Sequence, residues 1–241
     1  MSDPTQNEGR PLRFRHELKY YIRYDQKELL CSRLGGLMMR DANAGPRGLY
    51  KVRSLYFDDA WNTAYEDKLM GASDRQKFRI RVYSDGDNAI HLERKLKSGQ
   101  YVAKQQAELT RDETDRILQG DYDFLLRRNE PLCRTFYHAC VTGLHRPRVI
   151  VDYEREPFVF PVGDVRITFD TDVRAGLWSF NLFDNDLPMI GALEPGWLIM
   201  EVKYTELLPN FLRSALPAGS GGPVAVSKYV LCCEKTMFAA R

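Results

Sequence analysis

Two stretches of the sequence carry basic residues at alternate positions. In the first, 77–83 (KFRIRVY), Lys77, Arg79 and Arg81 alternate with apolar residues. Side chains two residues apart share one face of a β-strand, so both guanidinium groups should point the same way. Planar guanidinium groups suit phosphate oxygens, which they bind in pairs. The stretch therefore predicts either an anion-binding strand face or a face that is simply solvated.

The second stretch, 91–97 (HLERKLK), aligns Glu93, Lys95 and Lys97 in the same manner. The turn-forming residues 84–88 (SDGDN) between the two stretches indicate an antiparallel hairpin. So many cations on one hairpin face repel one another, unless water or a polyanion neutralises them. The other strands must decide between these two interpretations.

Composition limits the classes of function. The net charge of the 241 residues is only +2, so a cationic site must be local, and indiscriminate coating of nucleic acid is not expected. No phosphate-binding glycine loop of the common types occurs. The five cysteines form no C-x-x-C pair, and no apolar run approaches the roughly 20 residues of a membrane span. We expect a cytoplasmic protein, associated with a membrane only through a partner.

Residues 1–11 are polar and predict a disordered tail, whereas 12–241 read as a single domain. Besides the hairpin, alternation predicts strands at 13–22, 51–58, 101–109, 148–154, 165–171 and 197–204. Apolar periodicity predicts helices from Asp25, at 61–69, from Thr110 to Gly120, at 124–144, at 207–216 and at 227–238. Asp25 with Glu28, and Thr110 with Glu113, resemble capping boxes. The glycine-rich stretch 219–223 predicts a flexible loop.

The alternation also assigns the strand faces. Charged residues share one face of each strand, and the opposite faces are mainly apolar. Helices need an apolar surface to pack on, so helices outside the sheet would leave the charged faces inside. We therefore predict an α+β fold, a closed antiparallel eight-stranded β-barrel with helices packed outside and a polar, cationic lumen.

Eight short motifs, in order, carry a resemblance to a known family. RHELKY, SLYFD, KFRIRVY, ERKLK, DYER, RITFDTD, MEVKY and SKY together resemble the VTC domain. This is the polyphosphate polymerase domain of the vacuolar transporter chaperone complex, one of the triphosphate tunnel metalloenzymes, which include the CYTH proteins. The resemblance runs from about Arg13 to Phe238. The chain departs from the CYTH signature E-x-E-x-K because Arg15 precedes Glu17 and Lys19, a form similar to the polymerase branch.

The resemblance implies a function inside the tunnel. ATP or another nucleoside triphosphate would bind there, Mn²⁺ or Mg²⁺ would assist, and the γ-phosphate would pass to a growing polyphosphate chain. The catalytic cations implied are Arg79, Arg81, Lys19, Arg155 and Arg166. The implied substrate-binding residues are Lys95, Lys97, Lys104, Tyr153, Lys203, Ser227 and Lys228, although Tyr153 could equally be a packed aromatic residue.

The resemblance also implies the metal ligands. Glu201 would be the main carboxylate, since hard divalent ions prefer oxygen ligands and share the phosphates of the substrate. Glu17 and Glu93 would help it, or would serve only as counter-ions of neighbouring lysines. Ser227 and Lys228 begin the last helix, whose N-terminus favours anions; Ser227 would also suit a plain N-cap.

The sequence leaves three alternative functions open. A hydrolase in the same tunnel would cleave triphosphate or tripolyphosphate with water. A module without catalysis would sense polyphosphate or inositol phosphates. An RNA-binding barrel would need aromatic residues interleaved on the charged face to stack bases, and Tyr83 and Tyr153 are too few. The expected partners are therefore nucleoside triphosphate, pyrophosphate and polyphosphate, with no nucleic acid and with a membrane protein as the one macromolecular candidate.

Overall fold

The computed structural model describes residues 12–83, 89–216 and 222–239, with side chains up to 237. Its strands are β1 Arg15–Arg23, β2 Met39–Arg40, β3 Tyr50–Asp58, β4 Asp74–Tyr83, β5 Ile90–Ser98, β6 Tyr101–Leu109, β7 Arg146–Phe160, β8 Val165–Gly176, β9 Met189–Gly191 and β10 Trp197–Tyr204. Its helices are α1 Tyr24–Gly35, α2 Thr63–Leu69, α3 Arg111–Gln119, α4 Pro131–Val141, α5 Asn210–Ala215 and α6 Lys228–Ala239.

Eight of the strands form a closed antiparallel ring. The order runs β7, β3, β4, β5, β6, β1, β10 and β8, and pairing between β7 and β8 closes it. The short strands β2 and β9 add to the outer edges of β7 and β8. The predicted α+β fold with eight antiparallel strands in a closed sheet is thereby confirmed.

The apolar strand faces pack outward against helices, as alternation predicted. Phe78 of β4 contacts the ring of Phe136 in α4, with ring centroids 5.4 Å apart. Ile80 and Leu92 belong to the same buried cluster, which α3 joins through Ile117. A second cluster buries the outer faces of β1, β8 and β10 against α1 and α5. Burial of these faces turns the alternate, charged side chains toward the inside of the ring.

Helix α6 packs on the inner side of the ring, where Ala64 of α2 joins the same cluster, so the prediction that the helices pack outside does not hold for α6. Tyr229, Val230 and Cys233 are buried with inward-facing residues of β3, β7 and β10, such as Tyr56 and Ile199. The rings of Tyr56 and Tyr229 lie 5.1 Å apart. The first turn of α6 therefore reaches the interior, which an apolar helix pattern alone does not reveal.

Of the two capping boxes predicted at helix N-termini, the structure contains one. The capping box of α3 is as predicted, with Thr110 accepting from the backbone of Glu113 and Gly120 ending the helix at φ 85°. For α1 the predicted box of Asp25 and Glu28 is wrong. The helix begins at Tyr24, and the side chain of Gln26 accepts the backbone N–H of Arg23 instead. Gln26 occupies the third helical position, where a capping side chain can reach back.

Several element boundaries also differ. The predicted strands 148–154 and 165–171 extend to Phe160 and Gly176, since β7 and β8 pair along most of their length. The region 124–144 divides into a 3₁₀ turn at Asp123–Arg127 and helix α4, which begins at Pro131. The predicted tail 1–11, the turn 84–88 and most of the loop 219–223 lie outside the described residues. Within the described part of the chain, no helix is both long and apolar enough to cross a membrane.

Candidate functional site

The inner faces of the strands enclose a strongly basic cavity that is open to solvent at its mouth. Among the described residues, its lining contains eleven lysines and arginines but only two carboxylates, Glu17 and Glu201. Such an excess of like charge in a half-buried space is costly unless anions or water compensate it. The cations of the lining are Lys19, Lys68, Arg75, Lys77, Arg79, Arg81, Lys95, Lys97, Arg155, Lys203 and Lys228.

The β4–β5 hairpin supplies the two arginines that alternation had singled out. Arg79 Nε donates to Glu93 Oε2 at 2.7 Å, and Arg79 Nη1 donates to the hydroxyl of Tyr56 at 2.8 Å. Arg81 Nε donates to Ser54 Oγ at 3.0 Å. These bonds fix both guanidinium groups against the wall, while both side chains still line the cavity. A rigid pair of guanidinium groups is well suited to bind phosphate oxygens.

Strands β1 and β10 place two carboxylates beside three lysines. Lys203 Nζ lies 3.0 Å from Glu201 Oε2 and 3.6 Å from Glu17 Oε2. Lys19 Nζ lies 3.4 Å from Glu17 and 3.6 Å from Glu201. Lys95, reaching over from β5, donates to Glu17 at 2.8 Å. The shared lysines show that the two carboxylates lie close together.

A third group joins β7, β8 and the start of α6. Arg155 donates two hydrogen bonds to the fully buried Asp170, at 2.6 and 2.7 Å. Lys228 Nζ lies 2.5 Å from Asp170 and 2.9 Å from Glu201. The ring of Tyr153 lies under both cations, and its hydroxyl accepts from Arg81 at 3.3 Å. Tyr153 is thus both packed and hydrogen-bonded.

Neighbouring lysines keep the two carboxylates of the site ionised. Burial alone would raise the pKa of Glu17, but Lys95, Lys19 and Lys203 together hold it well below its ordinary value. Burial likewise opposes ionisation of Glu201, yet its lysine neighbours hold its pKa far below the usual range. In contrast, burial lowers the pKa of Lys77 from 10.5 to about 7, and Lys19, Lys95 and Arg75 reinforce the shift.

The carboxylates allow a simple test of whether a divalent metal fits. The described residues contain no group of three or more His, Cys, Asp or Glu side chains that could hold an ion. Glu17 and Glu201 are neighbouring oxygen donors on the cavity wall, and Mg²⁺ or Mn²⁺ commonly uses one or two carboxylates plus substrate phosphates. The donor set therefore fits a metal that is shared with a phosphate ligand, and it does not fit a metal held by protein alone.

Three predicted site residues lie away from the cavity lining. Glu93 is fully buried behind Arg79, which matches a counter-ion rather than a metal ligand. Lys104 pairs with Glu93 at 2.7 Å and is 43% exposed. Arg166 pairs with Asp41 at 2.7 Å and donates to the hydroxyl of Tyr50 at 2.8 Å. The other predicted site residues all line the cavity.

Several residues of the site are not among those predicted from the sequence. Arg75 and Lys77 extend the alternation of Arg79 and could have been included on that ground. Asp170 shares a strand face with Arg166 but lacked an evident partner. Lys68 on α2 and the segment 224–226 before α6 line the cavity without any preceding signal in their own sequence.

Comparisons with known proteins agree on the fold. HpAC1 from Hippeastrum, an adenylyl cyclase candidate described as having a dominant triphosphatase activity, superposes with a TM-score of 0.54 at 14% identity, covering 92% of this chain and 96% of that one. The PH1819 protein from Pyrococcus horikoshii superposes with a TM-score of 0.50 at 16% identity, covering 92% and 99%. A search of curated proteins gave no match.

The sequence itself decides the family. The model of the VTC domain matches residues 14–237, which is nearly the whole chain. The match includes every strand of the ring and every residue of the cavity lining. The chain belongs to the VTC domain family.

Proposed function

We propose that this protein is a polyphosphate polymerase, which transfers the γ-phosphate of ATP or another nucleoside triphosphate to a growing inorganic polyphosphate chain. The observation that carries the proposal is the lining of the cavity, where the described residues include eleven cations around two carboxylates, in a member of the VTC domain family. Such a lining suits a long polyanion far better than it suits a small neutral substrate.

Phosphoryl transfer requires positioning and charge neutralisation more than covalent chemistry by the protein. In our proposal Arg79, Arg81 and Arg155 hold the triphosphate, because each guanidinium is fixed by an acidic or hydroxyl partner and still lines the cavity. Lys19 and Lys228 neutralise the phosphate charge near Glu201. The partners keep the cations in place before substrate arrives, so little reorganisation is needed.

The remaining cations would guide the chain. Lys95, Lys97 and Lys203 line the cavity beside the triphosphate site, and Ser227 and Lys228 stand at the start of α6, where free N–H groups favour anions. Lys104 and Arg166 lie behind this lining, so they would act on the chain at longer range or through their partners. The nucleobase would have few specific contacts, because the lining offers mainly charges.

A divalent metal, Mn²⁺ or Mg²⁺, would be held by Glu201 with help from Glu17, and it would neutralise charge on the phosphate oxygens. Both carboxylates are also partners of lysines, so the lysines must shift toward phosphate oxygens when a metal is bound. These lysines would therefore pair with the carboxylates when the site is empty and with phosphate oxygens when substrate is bound.

Our proposal for the acceptor depends on which groups of the lining could activate water. Glu17 and Glu201 have strongly lowered pKa values, so they accept a proton poorly, and no histidine appears among the described lining residues. Activation of water needs a base, whereas a terminal phosphate is already anionic and needs none. Hydrolysis would need Lys77 or Lys95 as its base, because burial lowers the pKa of each to about 7, whereas transfer to pyrophosphate or polyphosphate needs no base.

Hydrolysis of triphosphate in the same cavity is the second candidate function. It is favoured by one observation, the shared fold with HpAC1, which is described as a triphosphatase. A module that only senses polyphosphate or inositol phosphates has less support, because Lys19 and Glu201 are both present in the lining.

We also propose that the protein acts in the cytoplasm, and that a membrane protein is the partner that would receive the chain.

Incubation of the purified protein with ATP, pyrophosphate and Mn²⁺, followed by resolution of the products, tests the proposal. Long-chain polyphosphate with ADP supports the polymerase. Orthophosphate with ADP identifies a hydrolase, cyclic AMP identifies a cyclase, and absence of turnover with retained binding identifies a sensor. Each of the last three outcomes would refute the polymerase.

A further inference from the structure

The side chain of Lys77 is surrounded by other cations. It lies on β4 directly opposite Lys95 of β5, and the charges of Lys19 and Arg75 also act on it. Like charges that face each other across two strands destabilise a sheet. Its Nζ atom donates to the hydroxyl of Ser227 at 3.3 Å, and within the described residues no carboxylate pairs with it. The protonated form of this amine therefore has little support.

The amine of Lys77 also packs against helix α6. Its Nζ atom lies 4.4 Å from the centre of the Tyr229 ring, a contact that favours the charged form. Cys233 of the same helix gives no such support at neutral pH, because burial raises the pKa of its thiol to about 11. Burial lowers the pKa of Lys77 to about 7, and the three neighbouring cations reinforce the shift. Near pH 7, the neutral amine is thus a major form of the empty protein.

A neutral lysine amine is a nucleophile, whereas a protonated one is not. Burial lowers the pKa of Lys95 to about 7 as well, but its Nζ atom donates to both oxygens of Glu17, at 2.8 and 2.9 Å. These bonds hold the amine of Lys95 against the wall and favour its protonated form. Lys77 lines the same cavity without such a partner among the described residues. Of these two lysines, Lys77 is therefore the better nucleophile.

The surroundings of Lys77 determine which electrophile would reach it. Arg75 and Arg79 lie two residues before and after it on β4, and all three side chains line the cavity. Guanidinium groups stay charged and bind phosphate oxygens. A small electrophile that carries a phosphate group would be bound with its reactive carbon beside the amine. Acyl phosphates have this form, because the acyl carbon is bonded directly to a phosphate oxygen.

We propose that Lys77 is a modification site, at which an acyl phosphate bound in the cavity transfers its acyl group to the side-chain amine. The nitrogen attacks the acyl carbon, a C–N bond forms, and the C–O bond to the phosphate breaks. Orthophosphate leaves, and the nitrogen loses one proton to water. The product is an uncharged amide that fills part of the cavity, so the modified protein should be inhibited. This inference rests on the proposed function only because the cavity must bind phosphate groups.

Incubation of the purified protein with acetyl phosphate near pH 7, followed by peptide mapping by mass spectrometry, tests the site. Lys77 should be acetylated roughly tenfold or more faster than Lys235, which lies on α6 outside the cavity lining. Excess tripolyphosphate should slow the reaction at Lys77 and leave Lys235 unchanged. An acetylating ester that has no phosphate group should show a smaller preference for Lys77.

Several results would overturn the proposal. Equal rates at Lys77 and Lys235 would show that the cavity gives no selectivity, and label mainly on Lys95, or as an ester on Ser227, would identify another nucleophile. An equal preference with the ester, or no protection by tripolyphosphate, would show that phosphate binding takes no part. Calorimetry with tripolyphosphate on the untreated protein separates the two proposals. Absence of binding contradicts the proposed function, whereas binding without preferential labelling overturns the modification site alone.

The consequence for the cavity is tested with a variant. Acetylated wild-type protein should bind tripolyphosphate more weakly than the untreated protein. Lys77→Arg keeps the positive charge and offers no reactive amine, so its affinity should be the same before and after treatment. An equal loss of affinity in the variant would show that another modified residue causes the effect.

Discussion

Arg155 and Asp170 form a bidentate ion pair in the interior of the ring, with N–O distances of 2.6 and 2.7 Å. The same carboxylate holds Lys228 at the start of α6. One buried acid thereby orients two cations of the cavity that come from different elements, a strand and a helix. Helix α6 is tied to the ring at the point where substrate would bind.

Asp170→Asn should destabilise the protein by up to about 3–5 kcal/mol, because it removes the buried charge that Arg155 and Lys228 share and leaves Glu201 as their remaining carboxylate. Urea denaturation measures the loss. Asp172→Asn is the control, since Asp172 is 54% exposed and its pair with Arg174 should contribute less than about 1 kcal/mol. A loss at Asp170 no larger than that of the control would contradict the role of this pair.

The contributions of Arg79 and Glu93 to the free energy of unfolding should be coupled. Arg79→Ala leaves the fully buried Glu93 with a weaker set of partners, so a loss of about 3–5 kcal/mol is expected. Adding Glu93→Ala should recover part of that loss, since no unpaired carboxylate then remains. Both variants should lack turnover. A double-mutant cycle from urea denaturation tests this, and strictly additive losses would show that the pair is not coupled.

The lowered pKa of Lys77 predicts a particular dependence of stability on pH. Between about pH 7 and its ordinary value of 10.5, Lys77 is protonated in the unfolded chain and neutral in the empty folded protein. The unfolding free energy should therefore gain a contribution that rises with pH in this interval. Lys77→Met should reduce that rise to the part that Lys95 contributes, because burial lowers the pKa of Lys95 to about 7 as well. Lys235→Met, on α6 outside the cavity, should keep the whole rise. Equal pH slopes for wild type and Lys77→Met would contradict the prediction.

Glu201→Gln should abolish turnover while ATP binding is retained, because the amide is a poorer ligand for a divalent metal but leaves the cationic lining in place. Removal of metal with EDTA should have the same effect on the wild type. Glu206→Gln, at an exposed loop position after β10, is the control. If Glu201→Gln turns over ATP at the rate of the control, another residue must hold the metal.

Strand alternation predicted much of the fold and of the lining. The strands 101–109 and 197–204 have the predicted bounds, and the charged face of 197–204 lines the cavity through Glu201 and Lys203 as expected. The prediction from alternation succeeded because burial of one face determines on which side of the strand every side chain lies. The same rule predicts Arg79, Lys95 and Glu201 on inward faces, and all three line the cavity.

Other features depend on contacts that no local pattern encodes. The apolar residues of α6 would suit either side of the sheet, so the entry of Tyr229 into the ring was not predictable. Lys104 and Arg166 lie outside the lining for a similar reason. Each pairs with a carboxylate, Glu93 or Asp41, that lies elsewhere in the sequence. The two-residue strand β2 is too short to show any periodicity.

The central claim is that the cavity transfers phosphate to a phosphate acceptor rather than to water. Turnover of ATP in water enriched in heavy oxygen, with pyrophosphate and Mn²⁺ present, tests it most directly. The polymerase predicts ADP equal in amount to the phosphate units added to chains, with no heavy oxygen in the product. Heavy oxygen in released orthophosphate, in amounts equal to the ADP formed, would contradict the account.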